Sequence, residues 1–352
     1  DGILAGSRDD DVFSTYEWLS CWWKHFGDGR KLRILIARDD GEIVGIAPLM
    51  LSKYSFMRFG KLSKIEFVGS PHSDYNSFIL LRKEVECLRF FLDHLIKDCS
   101  DWDYLQLRDI RENSRSGDLL CTMCDDDRPL QLERVIATLC PYIDLPDSVE
   151  AFMEGLSRNM RRNLRKRMAR LRRDYDVEFR TYRDFSSVDE AMKTFFELHQ
   201  KRWRSKDEEG AFSSREFRDF HLNMARVFSE KGWLSLYFLM VDDEAAAAAY
   251  TFDYKLKKYG YLTGFDPNYY PYSVGNLLKM HIVQDCVRRG LKEYDLMRDL
   301  EPYKADWASS QRRNLEVRMV RSGLFARVYD WVTKEGVPAS LIQRTGVSLS
   351  RK

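Results

Sequence analysis

The chain has 352 residues, 44% of them hydrophobic and 13% aromatic, which allows more than one sizeable core and excludes a disordered chain. Charged residues make up 32%, yet the signs nearly cancel at +2. A surface given over wholly to nucleic acid is therefore excluded, while a local basic patch is not.

In chain order, Phe13 to Phe26 carries aromatics and Leu19 at helical spacing, with Ser14 as the expected N-cap. Leu32–Arg38 and Ile43–Leu51 read as strands around the turn Asp39-Asp40-Gly41, and Pro48 implies an edge or bulge in the second. Lys64–Val68 and Ser77–Leu81 read as a further hairpin-like pair flanking the loop Gly69 to Tyr75. A helix from Lys83 to Lys97 and a strand from Tyr104 to Leu107 follow. Asp125–Arg128 reads as a loop before a strand from Leu130 to Ile136.

Leu145-Pro146-Asp147 marks a domain boundary, with Asp147 and Glu150 as a capping box. The expected division is 1–145, 146–335 and a polar tail, 336–352. Beyond Ser157 as N-cap comes a helix whose stretch Arg158 to Arg173 holds nine Lys/Arg and no acid. Leu156, Met160, Leu164, Met168 and Leu171 fall on one face, so the helix is amphipathic with a cationic outer side. Helices at Val188–Trp203 and Ser214–Glu230 precede three strands, Trp233–Val241, Ala245–Tyr254 and Lys258–Phe265. A loop, Asp266–Ser273, opens a helix from Val274 to Arg289, closed by Gly290. A short strand, Lys292–Leu296, and a last one, Asn314–Val320, complete an α+β order with mixed sheets. No run of residues approaches the roughly 18 apolar positions that cross a bilayer. Seven scattered cysteines, an odd number, fit thiols in a reducing, cytoplasmic setting better than a disulfide framework.

Gly264-Phe265-Asp266 followed by Ser273-Val274-Gly275-Asn276-Leu277-Leu278 resembles the donor-site loop of GNAT acetyltransferases. The wider pattern is similar to the BioF2-like and CelD-like acetyltransferases, a FemAB-related branch. It is carried by Phe13–Trp23, Val44-Gly45-Ile46-Ala47-Pro48-Leu49, Asp74-Tyr75, Ser157 to Leu164, Leu198-His199-Gln200-Lys201-Arg202-Trp203 and Glu301-Pro302-Tyr303-Lys304. The resemblance implies two tandem GNAT-like (acyl-CoA N-acyltransferase) domains, the second keeping the donor cleft. It also implies acetyl-CoA or another acyl-CoA as donor co-substrate and an amine-bearing acceptor. Where the family branch commonly has a Gly-rich turn, this chain has Met297-Arg298-Asp299-Leu300. Where GNAT loops commonly carry two glycines, it has Gly275.

Acyl transfer from a thioester to an amine needs a held donor, a proton acceptor and polarisation of the carbonyl. A loop opening a helix suits the donor's pyrophosphate, because free N–H groups and the positive dipole end converge there. Ser273, Val274, Gly275, Asn276 and Leu277 are the candidates, with Arg158 and Arg161 for a phosphate. Glu301 is the expected base, Tyr303 the acid to the leaving thiolate, and Asp74 a further proton-transfer candidate. Lys304, His199, Trp203 and Asp295 are the substrate-side candidates. An ordinary helix cap, surface ion pairs and a structural histidine are the plainer explanations of the same residues. Cys121-x-x-Cys124 lacks a second pair at zinc-ribbon spacing, so no metal is expected. Two other functions stay open: a FemAB-like transferase drawing on aminoacyl-tRNA, and a non-catalytic nucleic-acid binder using the basic helix.

Overall fold

The computed structural model describes residues 2–56, 60–126, 132–321, 326, 327, 329 and 330. Part of the expected loop at 125–128, the start of the expected strand at 130–136 and the whole tail 336–352 lie outside them. The chain forms two compact units, 1–139 with 312–352 and 140–311.

The first unit starts with α1 (Gly2–Gly6) and α2 (Tyr16–Phe26). Thr15, not Ser14, caps α2 by accepting from the Trp18 amide, and Ser14 ends a preceding 3-10 turn. Then come β1 (Lys31–Asp39), β2 (Glu42–Phe56), β3 (Gly60–Phe67), β4 (Ile79–Leu80), α3 (Glu84–Lys97), β5 (Tyr104–Arg111) and α4 (Arg115–Asp126). β1 and β2 form the expected hairpin. β4 pairs with β2 at Gly45 and Ile46, not with β3, which takes over from Leu49 onward. Pro48 sits between those two partners, where its missing N–H breaks no ladder bond on that side. Trp18 and Trp22 are core residues, their indoles donating to Ser73 Oγ and His72 Nδ1 at 2.8 and 2.9 Å. The helix α4 was not expected, because its first turn, Arg115 to Asp118, is polar.

The chain leaves this unit within β6 (Glu133–Asp144) and returns within β12 (Ser310–Val320). Unlike the expected 146–335 domain, the second unit therefore ends at 311, because β12 from Asn314 pairs with β5. Between them lie α5 (Val149–Gly155), α6 (Arg158–Asp174), β7 (Val177–Thr181), α7 (Val188–Arg204), α8 (Arg215–Glu230), β8 (Leu234–Val241), β9 (Glu244–Tyr254), β10 (Lys257–Phe265), α9 (Val274–Arg288), β11 (Glu293–Asp295) and α10 (Pro302–Ala305). Ser148, rather than Asp147, caps α5, and Ser157 caps α6 as expected.

β7 to β10 form an antiparallel meander, and β8 is buried along its whole length. Both faces are covered. Tyr237, Leu239, Ala247 and Ala249 pack with α9 in one core, while Tyr250 and Phe252 meet the rings of α7 and α8 on the other side. The alanine run of β9 is what lets helices approach so closely. Gly264 of β10 serves the same purpose against α7. A Cβ there would lie 2.4 Å from the His199 nitrogen and 2.7 Å from its Cα.

Gly264→Ala is expected to destabilise the protein by about 2–3 kcal/mol, since backbone cannot yield as a side chain can. Gly275→Ala, whose Cβ meets only the Phe265 ring at 3.8 Å, should be neutral or slightly stabilising. Urea unfolding midpoints of the two variants check this. Equal midpoints would refute the close approach.

Candidate functional site

The loop after β10 is a six-residue 3-10 segment, Pro267–Tyr272, whose cap Asp266 accepts from the Asn268 amide. Asp266 also holds Lys201 of α7 at 2.7 Å, and Tyr272 donates to Asp174 of α6 at 2.9 Å. Two neighbouring helices thus anchor the loop. Ser273 then adopts φ 52°, ψ 48°, a left-handed backbone reached without glycine, and makes no side-chain cap bond. The amides of Asn276 and Leu277 return to the Ser273 carbonyl. Those of Val274 and Gly275 stand at the open end of α9, where a helix has no internal acceptor to offer. Val274 and Leu277 are 1% and 2% exposed, so they anchor the helix in the core and present only backbone. Asn276 accepts the Trp307 indole at 3.2 Å.

β10 and β11 run parallel and pair only at Lys257, Lys258 and Tyr259 with Glu293, Tyr294 and Asp295. β10 then continues to Phe265 while β11 stops. The register of β10 against β9 shifts between Tyr259 and Leu262, which bends the strand away. Gly260–Phe265 therefore has no strand partner on its β11 side, while Leu262–Phe265 stay paired with β9. Gly260 is needed where the strands part, since a Cβ there would lie 2.8 Å from the Tyr294 ring.

Past β11 the chain turns sharply. Met297 and Asp299 have φ of 66° and 72°, so the turn keeps the left-handed geometry that a Gly-rich turn adopts freely. Asp295, fully buried, braces it by accepting the Met297 amide at 2.8 Å. Lys304 donates to the Arg298 carbonyl at 2.5 Å and pairs with Glu301 at 3.6 Å. The ammonium expected on the substrate side is therefore engaged in holding the turn.

This turn places Tyr303 at the centre of a charged cluster. Its hydroxyl bonds with Glu301 and Arg202, and burial pushes it well above the ordinary phenol range. It stays protonated and able to donate. Arg202 of α7 also donates to Thr263 Oγ1 and carbonyl at 2.9 and 3.2 Å, which ties Tyr303 to the unpaired stretch of β10. Over the opposite side lies Lys279 of α9, its Nζ 4.3 Å from the centre of the Tyr303 ring and 5.7 Å from that of Trp307. Burial, then the Lys304 charge, with Arg202 adding and Glu301 opposing, lowers Lys279 to about 7.

Lys279 and Arg202 had not been picked out as site residues. Lys279 shares a helical face with Val283 and Cys286, both buried, and that spacing was the available signal. His199 is 1% exposed and neutral, pushed down to about 3 by burial and Arg202. Its Nε2 accepts the Trp203 indole at 3.0 Å, so it positions Trp203. Arg161 donates to the carbonyls of Met153 and Glu154, both at 3.1 Å, closing α5, while Arg158 is exposed. Asp74 lies in the first unit, 3% exposed, its carbonyl accepting Asn314.

Residues 158–305 match the family model of the Acetyltransferase (GNAT) domain. No curated protein matches the chain. Among solved structures it is similar to FemX, at TM-score 0.66 and 12% identity over 94% of this chain and 96% of that one. L-PGS from Bacillus licheniformis gives 0.54 and 12% over 91% and 96%. A tandem GNAT protein from the clavulanic acid biosynthesis pathway gives 0.50 and 11% over 84% and 85%. The fold is accordingly of the mixed α/β, tandem GNAT type, with a GNAT-type acyltransferase domain in the second unit.

The lowered Lys279 sets a sign for stability. An unfolded lysine titrates near 10.5 and the folded one near 7, so its penalty is full below about 7 and fades as pH rises through that window. The penalty is on the order of 3–5 kcal/mol. Lys279→Met is expected to be more stable than the parent at pH 6–7, the difference closing towards pH 10. Urea unfolding at pH 6, 8 and 10 reads this. A difference that does not change with pH would contradict the buried-amine assignment.

Proposed function

We propose that this chain is an acyl-CoA-dependent N-acyltransferase that acts by direct attack of an amine on the donor thioester. The observation that carries this reading is one juxtaposition. The open N-terminus of α9 leads from the unpaired stretch of β10, and the Tyr303 cluster lies beyond the end of β11. The N–H groups of Val274 and Gly275 and the helix dipole suit a pyrophosphate. Gly275 has only the Phe265 ring near its missing side chain, which leaves room for a close approach of the donor.

In this reading Glu301, whose side chain is 43% exposed, takes the proton of the incoming ammonium, directly or through water. The freed amine attacks the acyl carbon, the carbon–sulfur bond breaks, Tyr303 gives its proton to the departing thiolate, and the proton shed by the nitrogen as the amide forms restores Tyr303. No covalent enzyme intermediate is needed. Acetyl-CoA or a longer acyl-CoA is the donor, and a small or polymer-linked amine the acceptor. A reducing, cytoplasmic location agrees with such a donor, and none of the seven cysteines is in a disulfide.

A second reading is favoured by α6. Arg158, Arg162, Arg165, Lys166, Arg172 and Arg173 are exposed and, at 100° per residue, fall on one side of the helix. Such a stripe suits a polyanion. With the likeness to FemX, it supports an aminoacyl-tRNA donor as the alternative.

Calorimetric titration with acetyl-CoA and with a longer acyl-CoA separates the two. Micromolar binding that Gly275→Trp abolishes is expected, followed in an amine screen by thiol release that falls about 100-fold or more in Glu301→Gln. Folded protein that binds neither thioester but binds charged tRNA would replace the first reading with the second.

A further inference from the structure

Lys279 is the buried charged group of the site that the transfer chemistry above does not use. It is 6% exposed, and no hydrogen bond or ion pair reaches its Nζ among the described residues. Among the described residues, the other buried lysines are hydrogen-bonded. Lys258 bonds Asp253 at 2.5 Å and Ser235 at 2.8 Å, and Lys64 bonds Glu66 at 2.7 Å and Gln106 at 3.0 Å. Lys304, its neighbour, is already engaged with the Arg298 carbonyl.

The charged groups around Lys279 are Arg202 from α7 and Glu301 and Lys304 from the α10 segment, with the Tyr303 ring beneath it. Two cations against one carboxylate, around a buried side chain, favour the neutral amine. A neutral amine is a nucleophile. The same arrangement, desolvation plus neighbouring cations, activates lysines in general. Lys279 also lies over the ring of Tyr303, the group that would protonate a leaving thiolate. It stands one and a half turns into the helix whose start is the proposed donor loop, about 7–8 Å along the axis.

We propose that Lys279 is a self-acylation site, which attacks the bound acyl thioester when no amine acceptor is present. The Nζ–carbon bond forms as the carbon–sulfur bond breaks. The proton shed by the amine replaces the one that Tyr303 gives to sulfur. An Nε-acyl-lysine and a free thiol are the products. The amide carries no charge and places the acyl group against Tyr303, so the modification closes the site when donor is plentiful and acceptor scarce. This inference rests on the acyl-thioester reading above.

The test is incubation of the full chain with acetyl-CoA alone, followed by peptide mass spectrometry, beside a calorimetric titration of the same preparation. Acetylation of Lys279 at least 10-fold faster than that of the exposed lysines is expected, with a rate that rises to a plateau through about pH 7. Excess CoA should suppress it at Lys279 and not at exposed lysines. Lys279→Arg, which keeps its proton, should abolish it, and Lys279→Met serves as the second null variant. Acetyl-CoA that binds while Lys279 reacts no faster than exposed lysines would overturn the inference and leave the donor reading standing. Absence of binding would overturn both.

Discussion

The site depends on two parallel strands that pair for three residues and then part. β10 bends after Tyr259 and runs on to Phe265, while β11 ends at Asp295. Unpaired strand edge inside a folded unit leaves backbone donors and acceptors to be satisfied. Here Arg202 reaches the Thr263 carbonyl, and the chain beyond β11 is forced through a left-handed turn that sets Tyr303 beside it. The free edge of β10, the loop after it and the charged cluster are consequences of one early strand ending.

The cluster's electrostatics follow from where its charges are held. Lys304 and Asp295 are engaged in maintaining the turn, and His199 in orienting Trp203. Three groups expected from sequence to meet substrate are thus braces in this structure. The groups left with chemical freedom are Tyr303, kept protonated by burial, Glu301, partly exposed, and Lys279, close to neutral. An uncompensated buried lysine is destabilising, and two residues of one turn held at positive φ, Met297 and Asp299, each add roughly 1–2 kcal/mol of strain. The packed alanine face of β9 and the double-sided burial of β8 supply the rigidity that such a site requires.

Much of the second unit was legible in the sequence. The strands β8 to β10 are apolar runs separated by acidic or Lys-rich turns, and Gly290, at φ 73°, ends α9 where expected. The first unit was harder. β4 is two residues long, and its partner is set by where Pro48 interrupts the ladder, which local pattern does not reveal. α4 begins with a polar turn. In the second unit β7, a five-residue edge strand, was hidden as well. For the candidate site, Glu301 and Tyr303 were picked out by their place after a short parallel-type strand. Lys279 and Arg202 were not, because a charge in a helix reads as exposed until packing shows which way the helix faces. The turn at Met297 and Asp299 was equally hidden, since neither residue announces positive φ.

The most direct test of the account is amide hydrogen exchange on the full chain with and without saturating acetyl-CoA. Donor binding at the parted strands predicts slowed exchange in the unpaired stretch of β10, the loop 266–273 and the first turn of α9, with the rest of the chain little changed. Protection that appears only in the first unit, or none at saturation, would contradict the placement of the donor and with it the reading of the whole site.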